Sequence, residues 1–314
     1  MIRRLRARRT HKAAALPDLK RVLCFGIAVF DRIYEVETLP TGDEKYTATG
    51  YRESGGGVAA TAAVAVARLG GHAAFMGALG DDPAGRWLAA EMSALGVALD
   101  VVQYVAHGRT PNACALVAPD GGRCLIIDRG TARPASAAPD SACANVDALL
   151  VDHRFPDLAA ALLIGAPRTM PRILDAEGGD PEALRHLVAL AQYPIFSSTG
   201  LRLCTGQDDP LAALSRVSAP QARCLAVTRG AAGSLWLIDG QVHHVAAPPV
   251  AARDTTGCGD VFHGAVALAL AEGQHLLDAA RFATAAAALK ALNGDGWRGM
   301  PDRQAVQALL KESW

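Results

Sequence analysis

The stretch DTTGCGDVFHGAVALALAEG, Asp254 to Gly273, decides how this chain reads. A short polar, glycine-containing run passes directly into an apolar segment, so DTTGCGD sits at the mouth of a helix beginning near Gly259 and running to Glu272. The backbone N–H groups of Gly257, Cys258, Gly259 and Asp260 then point one way, and the helix dipole adds about half a positive charge there. Glycines at 257 and 259 let the backbone approach an anion closely and take positive φ. The loop lacks the Gly-Lys-Ser/Thr ending of a P-loop, so this anion hole is made of backbone alone. Asp260, in the first helical turn, stands where it can accept the proton of an attacking hydroxyl, which suits phosphoryl transfer to an alcohol. The competing reading is a helix cap in which Asp and Gly serve only turn geometry. A lone GxG would favour it; the whole of D-T-T-G-C-G-D, with Phe262 and Gly264 at fixed offsets, favours the anion hole.

The bulk of the chain agrees with a small-molecule enzyme. Its 314 residues, 51% hydrophobic and 20% charged, are enough to bury a sizeable core. Thirty-one basic and 31 acidic residues cancel, so no whole-protein field draws it to nucleic acid or an anionic membrane. The longest apolar run, Val58 to Ala67, is too short to span a bilayer, and the protein is expected to be soluble. Seven scattered cysteines without a CxxC pair point to reduced thiols and a cytoplasmic location. Residues 1–17, MIRRLRARRTHKAAALP, are Arg-rich without an apolar core; a disordered extension or over-long start is favoured over a transit peptide or nucleic-acid arm.

Beyond that tail, residues 18–314 read as one domain. Buried strands are expected at 21–30, 73–80, 148–153, 172–177, 193–198 and 224–230, and helices at 58–69 and 83–96. Such alternation predicts an α/β fold, a mostly parallel central sheet covered by helices on both faces, with ligands at the strands' carboxyl ends. Segments 31–40, 44–53, 112–119 and 123–130 partly alternate apolar and polar residues and read as a small antiparallel β lid, spanning about 31–54 and 110–130.

The motif at Asp254 to Ala265 resembles the C-terminal signature of the ribokinase-like (PfkB) carbohydrate kinases, D-T-x-G-[AC]-G-D-x-[FY]-x-[GA], without a departure. GGGVAATAAVAVARLGGHAAFMGALGDDPAG, Gly55 to Gly85, resembles the family's second signature, and the similarity extends over about residues 20 to 303. The resemblance implies a three-layer α/β/α kinase using ATP and magnesium. It makes Asp260 the catalytic base, Gly257, Cys258 and Gly259 the anion hole, Asp31 the aspartate that binds sugar hydroxyls, and Gly55 and Gly56 the hinge of the lid. Thr228, Gly230 and Gly233 in VTRGAAG match the nucleotide-facing turn; Asn293, Gly294 and Gly296 fall where the adenine-side loop lies. Family members often hold a monovalent cation such as potassium near the residue matching Asp254, and exposed lid edges suit a homodimer.

Two departures stand out. In FSSTGLRLCTG, residues 196–206, Ser197 replaces the Asn and Gly200 the Glu of the family's N-x-x-E element. Magnesium is then expected to rest on nucleotide phosphates, water and other groups, with Asp175 or Glu177 acting through water. Thr61 stands where most members have Asn, a feature shared with the sulfofructose kinase branch, to which the motifs are most similar. That branch phosphorylates the 1-hydroxyl of 6-deoxy-6-sulfofructose, and Lys45 and Arg154 sit where it has cations near the sulfonate. Asp128 stands where Asn is expected and would repel a sulfonate unless paired with Lys45, Arg129 or Arg154. A neutral ketose or related sugar is the alternative substrate, and a non-catalytic sugar-binding regulator the alternative class.

Overall fold

The computed structural model describes residues 19–119, 122–135 and 142–314; the expectation for 1–17 falls outside them. In chain order the first elements are β1 (Arg21–Phe25), β2 (Val29–Glu35), β3 (Gly50–Gly56), α1 (Val58–Arg68), β4 (His72–Met76), β5 (Ala78–Gly80) and α2 (Pro83–Ala94). Then come β6 (Gln103–Val105), β7 (Asn112–Val117), β8 (Arg123–Asp128), β9 (Ala148–Asp152), α3 (Pro156–Gly165), β10 (Arg172–Ala176) and α4 (Pro181–Leu190). The remainder is β11 (Tyr193–Ser197), α5 (Ser198–Thr205), α6 (Pro210–Arg216), β12 (Leu225–Thr228), β13 (Ser234–Ile238), β14 (Gln241–Val245), α7 (Cys258–Ala271), α8 (Leu276–Asn293) and α9 (Arg303–Ser313).

The main sheet has the order β14-β13-β12-β11-β10-β9-β1-β4, parallel from β12 to β4 with an antiparallel β12-β13-β14 edge. Side chains of a strand alternate between faces, and both faces here are apolar. Val22 and Cys24 of β1 join Ile173, Ile195 and the residues of α1, α7 and α8 in one buried cluster. Leu23 and Phe25 join Leu174, Phe196 and the residues of α3 and α4 in the other. Helices α1 and α7 are built largely of Ala, Val and Gly and lie close together: a Cβ at Gly264 would come 2.6 Å from the Ala62 carbonyl oxygen. This close packing places the mouth of α7 at the carboxyl end of the sheet.

The second sheet is the lid, with order β3-β2-β7-β8. The β2–β3 and β7–β8 pairs are antiparallel and join through a parallel β2–β7 contact. Three strand expectations change. The segment 21–30 divides, because the chain leaves the main sheet at Gly26: a Cβ there would lie 1.9 Å from Oδ2 of Asp152, and the Ile27 N–H donates to that oxygen at 2.8 Å. The segment 73–80 divides at Gly77, where a Cβ would meet the Gly26 carbonyl oxygen at 2.4 Å. The lid strand expected at 44–53 runs instead from Gly50 to Gly56. Its first half is a loop closed on itself, with the Thr41 and Gly42 N–H groups donating to the Tyr46 hydroxyl at 3.1 and 3.3 Å. No described helix is long and apolar enough to cross a membrane.

Candidate active site

A cavity of about 1550 Å³ lies between the lid and the carboxyl ends of the main strands. Its floor is the loop Asp254–Gly257 and the first turn of α7. Gly257 has φ +77°, a left-handed conformation that requires glycine, and leads into the helix. The Asp254 carboxylate accepts from the Thr256 N–H at 2.9 Å. Burial alone would raise the Asp254 pKa, but the Thr256 hydrogen bonds and the positive charges of Lys290 and Arg123 hold it below the usual value. The Cys258 N–H donates to the Thr255 carbonyl at 3.2 Å, so it closes the turn and is not free for a ligand as the sequence suggested. The N–H groups of Gly259 and Asp260 have no protein acceptor among the described residues, and a Cβ at Gly259 would meet nothing within 4 Å. The Cys258 thiol is pushed up by burial to about 11, which leaves it protonated.

Asp260 lines the cavity. Its carboxyl is raised well above the usual carboxylate range by burial and by the neighbouring charges of Asp175 and Glu177. One buried cation offsets them. Nδ1 of His263 lies 2.7 Å from the Gly259 carbonyl oxygen and 3.0 Å from Oδ2 of Asp175, while Nε2 lies 3.2 Å from the Ile195 carbonyl oxygen. Both ring nitrogens therefore face acceptors, an arrangement that only the doubly protonated ring satisfies. Burial works against that charge, yet Asp175 and the two carbonyls carry the pKa to about 9. His263 is one turn beyond Asp260 and sits inside the opening motif; sequence reading passed over it because its partners Asp175 and Ile195 come from β10 and β11.

Asp31, on β2, faces the same cavity from the lid side. Burial pushes it up to about 7, with Arg52 pulling the other way. Gly56 makes room for it, since a Cβ there would lie 2.2 Å from Oδ2 of Asp31. Gly55 makes room for the Trp297 ring, which a Cβ would approach to 2.2 Å, and the Trp297 indole N–H donates to Thr61 Oγ1 at 3.0 Å. Thr61 is thus buried and tied to an aromatic wall that sequence gave no means of placing. The small sheet also reaches the Asp254–Gly257 loop directly: Arg123 of β8 donates to Thr256 Oγ1 at 2.7 Å.

The proposed substrate cations fare unequally. Arg154 lines the cavity but is paired with Glu177 at 3.1 Å. Lys45 is exposed on the loop before β3 and is not among the lining residues, because that loop folds on Tyr46 away from the strand register. Asp128 lines the cavity, and its partner is none of the three anticipated. Its Oδ1 lies 3.5 Å from Arg109 and accepts the Gly130 N–H at 2.9 Å, while Asn112 donates to Oδ2 at 3.4 Å. The Gly130 hydrogen bond and Arg109 hold its pKa low despite some desolvation.

Of the two acids named for magnesium, Glu177 lines the cavity, whereas Asp175 is buried against His263 and does not. The N-x-x-E departure has a steric cause. Ser197 caps α5 by accepting the Gly200 N–H at 2.9 Å, and a Cβ at Gly200 would lie 1.9 Å from the Ala176 carbonyl oxygen, so no glutamate fits there. Thr228, Gly230, Gly233, Asn293 and Gly294 lie outside the cavity lining, whereas Gly296 is part of it. Gly233 is needed where β13 meets β14, since a Cβ would meet the Val245 carbonyl oxygen at 2.0 Å. Gly294, at φ +64°, ends α8, and Asn293 donates to the Gly299 carbonyl at 3.0 Å. Asp152, which sequence reading left as a strand end, accepts the Ile27 and Arg154 N–H groups at 2.8 and 2.9 Å and so ties β9 to the turn leading into the lid.

Comparison with known proteins agrees with this geometry. Residues 19–302 match the family model described as pfkB family carbohydrate kinase. The chain is 30% identical to a ribokinase of Arabidopsis thaliana over 98% of its length and 85% of the relative's. It is also 30% identical to a fructokinase of Klebsiella pneumoniae, over 72% of the chain and 78% of the relative. The solved structure of Arabidopsis thaliana ribokinase complexed with ribose and ATP superposes with a TM-score of 0.84 at 28% identity, covering 93% of this chain and 99% of that one. The Asp254–Asp260 loop, its aspartate and the small sheet over them therefore lie in a chain that belongs to the pfkB family of carbohydrate kinases.

Proposed function

We propose that the protein transfers the γ-phosphoryl group of ATP to a hydroxyl of a neutral sugar, a pentose or a ketohexose. The observation that carries this reading is the sharing of one cavity by Asp260, at the free N–H groups of α7, and Asp31, in the lid. Asp31 accepts sugar hydroxyls and orients one toward Asp260. The sugar oxygen forms a bond to the γ-phosphorus as the bond to the β–γ bridging oxygen breaks. The hydroxyl proton passes to Asp260 and ADP leaves, with the Gly259 and Asp260 N–H groups holding the transferred oxygens. Thr228, Gly230 and Gly233 on one side, and Asn293 and Gly294 on the other, are proposed to flank the nucleotide. Lid closure over this floor would exclude water that competes for the phosphoryl group.

Magnesium fits as a companion of the nucleotide. No cluster of three or more His, Cys, Asp or Glu side chains suited to a metal occurs among the described residues, and of Asp175 and Glu177 it is Glu177 that faces the cavity and can hold the ion's water shell. The ion would neutralise phosphate charge; the protein's part is to position. A neutral sugar is favoured over an anionic one because Asp128 keeps its charge in the cavity, Arg154 is engaged with Glu177 and Lys45 is elsewhere. The sulfofructose reading retains support from Arg129 and Arg133, which line the same cavity. A non-catalytic regulator is disfavoured by retention of the base. The free thiols at all seven cysteines suit the cytoplasm, and the exposed β8 edge, with Ile126 63% exposed, suits cover by a second copy of the chain.

The test is a turnover screen with ATP and magnesium across ribose, fructose, fructose 6-phosphate and 6-deoxy-6-sulfofructose, repeated with Asp128→Asn. The proposal expects ADP release with a neutral sugar, and a gain for anionic sugars only in the variant. A preference for sulfofructose in the unaltered protein would overturn the substrate class, and binding without turnover across the panel would overturn the kinase reading.

A further inference from the structure

The resemblance led us to expect a monovalent cation near Asp254, and the residues there do not fit one. Lys290, on the last turns of α8, is 1% exposed, and its Nζ is buried with no hydrogen-bond partner among the described residues. It belongs to the wall of the active-site cavity together with Asp254, Thr255 and Gly257. The next residue along α8 anchors the loop, since the Ala291 carbonyl accepts the Arg253 and Asp254 N–H groups at 2.8 and 3.2 Å. A buried ammonium is costly unless something nearby requires its charge. What faces it is the anion loop, and its charge bears on both Asp254 and Cys258. A potassium ion seated against the same loop would meet a like charge that cannot move into water.

We infer that Lys290 is a built-in cation that takes the place of a monovalent ion behind the Asp254–Asp260 loop, so that phosphate binding and turnover in this protein need no potassium. The ammonium is shielded from solvent and acts through the loop, as a positioning residue. Its charge acts on Asp254 and Cys258 within that loop and replaces one that would otherwise depend on the ionic composition of the medium. This inference rests on the reading of the loop as a phosphate site.

The experiment compares the full-length protein with Lys290→Met in buffers where potassium, ammonium or caesium replaces tetramethylammonium at constant ionic strength. Two quantities are read: the melting temperature without ligands, and ADP affinity by calorimetry. Neither needs a sugar substrate, so failure of the kinase assignment cannot be mistaken for failure of this inference. For the unaltered protein both quantities are expected to be the same in every buffer, with ADP affinity within about 2-fold. Lys290→Met is expected to lose ADP affinity by about 10-fold or more in tetramethylammonium and to recover in potassium or ammonium, which also raise its melting temperature by mass action. A several-fold gain in ADP affinity of the unaltered protein on adding potassium would overturn the inference, whether or not the variant folds. A variant that binds ADP normally in tetramethylammonium would overturn it equally.

Discussion

Replacing His263 with leucine separates electrostatic positioning from simple packing. In the folded protein the imidazole titrates at about 9 instead of 6.5, a difference worth about 3 kcal/mol at 1.36 kcal/mol per pH unit. The raised value means that this stabilisation is fully present below pH 6.5 and is lost as pH climbs through about 9. His263→Leu leaves the Asp175 carboxylate, 2% exposed and with Oδ1 already lacking a partner, without its counter-charge. Breaking a buried pair in this way costs about 3–5 kcal/mol, equivalent to about 5–10 °C in melting temperature for a domain of this size. Urea denaturation at pH 6 and pH 9.5 should therefore show a deficit of about 3 kcal/mol at the lower pH and a much smaller one at the higher. His263→Leu with Asp175→Asn should regain more than half of the loss, because no buried charge is then left alone. Asp260 feels the same change: without the imidazolium its carboxyl rises further, and the acidic limb expected of the rate profile moves to higher pH. A deficit below 1 kcal/mol at pH 6, or one equal at both pH values, would refute the assignment of His263 as a buried cation.

Further outcomes follow from the sugar side of the cavity. With Asp31 at about 7, its protonation alone should lower kcat/KM about tenfold per pH unit below neutrality; Asp31→Asn should remove that part of the dependence, leaving the limb set by Asp260, while lowering kcat/KM by about 10²–10³-fold. Steady-state rates between pH 5.5 and 8 check both. Gly56→Ala puts a methyl group 2.2 Å from Oδ2 of Asp31 and must displace the carboxylate, so KM should rise about 10-fold or more while nucleotide affinity by calorimetry stays unchanged.

Sequence reading succeeded where a signal is local. The strands at 148–152, 172–176 and 193–197 are short, mainly apolar segments buried on both faces, and α7 follows its glycine loop directly. What escaped it depends on contacts across the fold. Gly26 and Gly77 break two apolar runs because each backbone passes against a group far along the chain, Asp152 in the first case. Asp128 finds Arg109, and Lys45 leaves the cavity on a loop closed by Tyr46, neither of which spacing reveals. Nothing in ALKALNG, residues 288–294, marks Lys290 as a lysine whose side chain is wholly enclosed.

The central claim is that Asp260 takes the proton of a sugar hydroxyl as phosphate moves onto it. Its most direct test is formation of phosphorylated sugar from ATP by the unaltered protein and by Asp260→Asn, followed by ³¹P resonance with nucleotide affinity measured in parallel. The account predicts stoichiometric sugar phosphate and ADP from the unaltered protein, a rate lower by about 10²–10⁴-fold in the variant, and equal nucleotide affinity in both. Equal rates of sugar phosphate formation in the two proteins would contradict it.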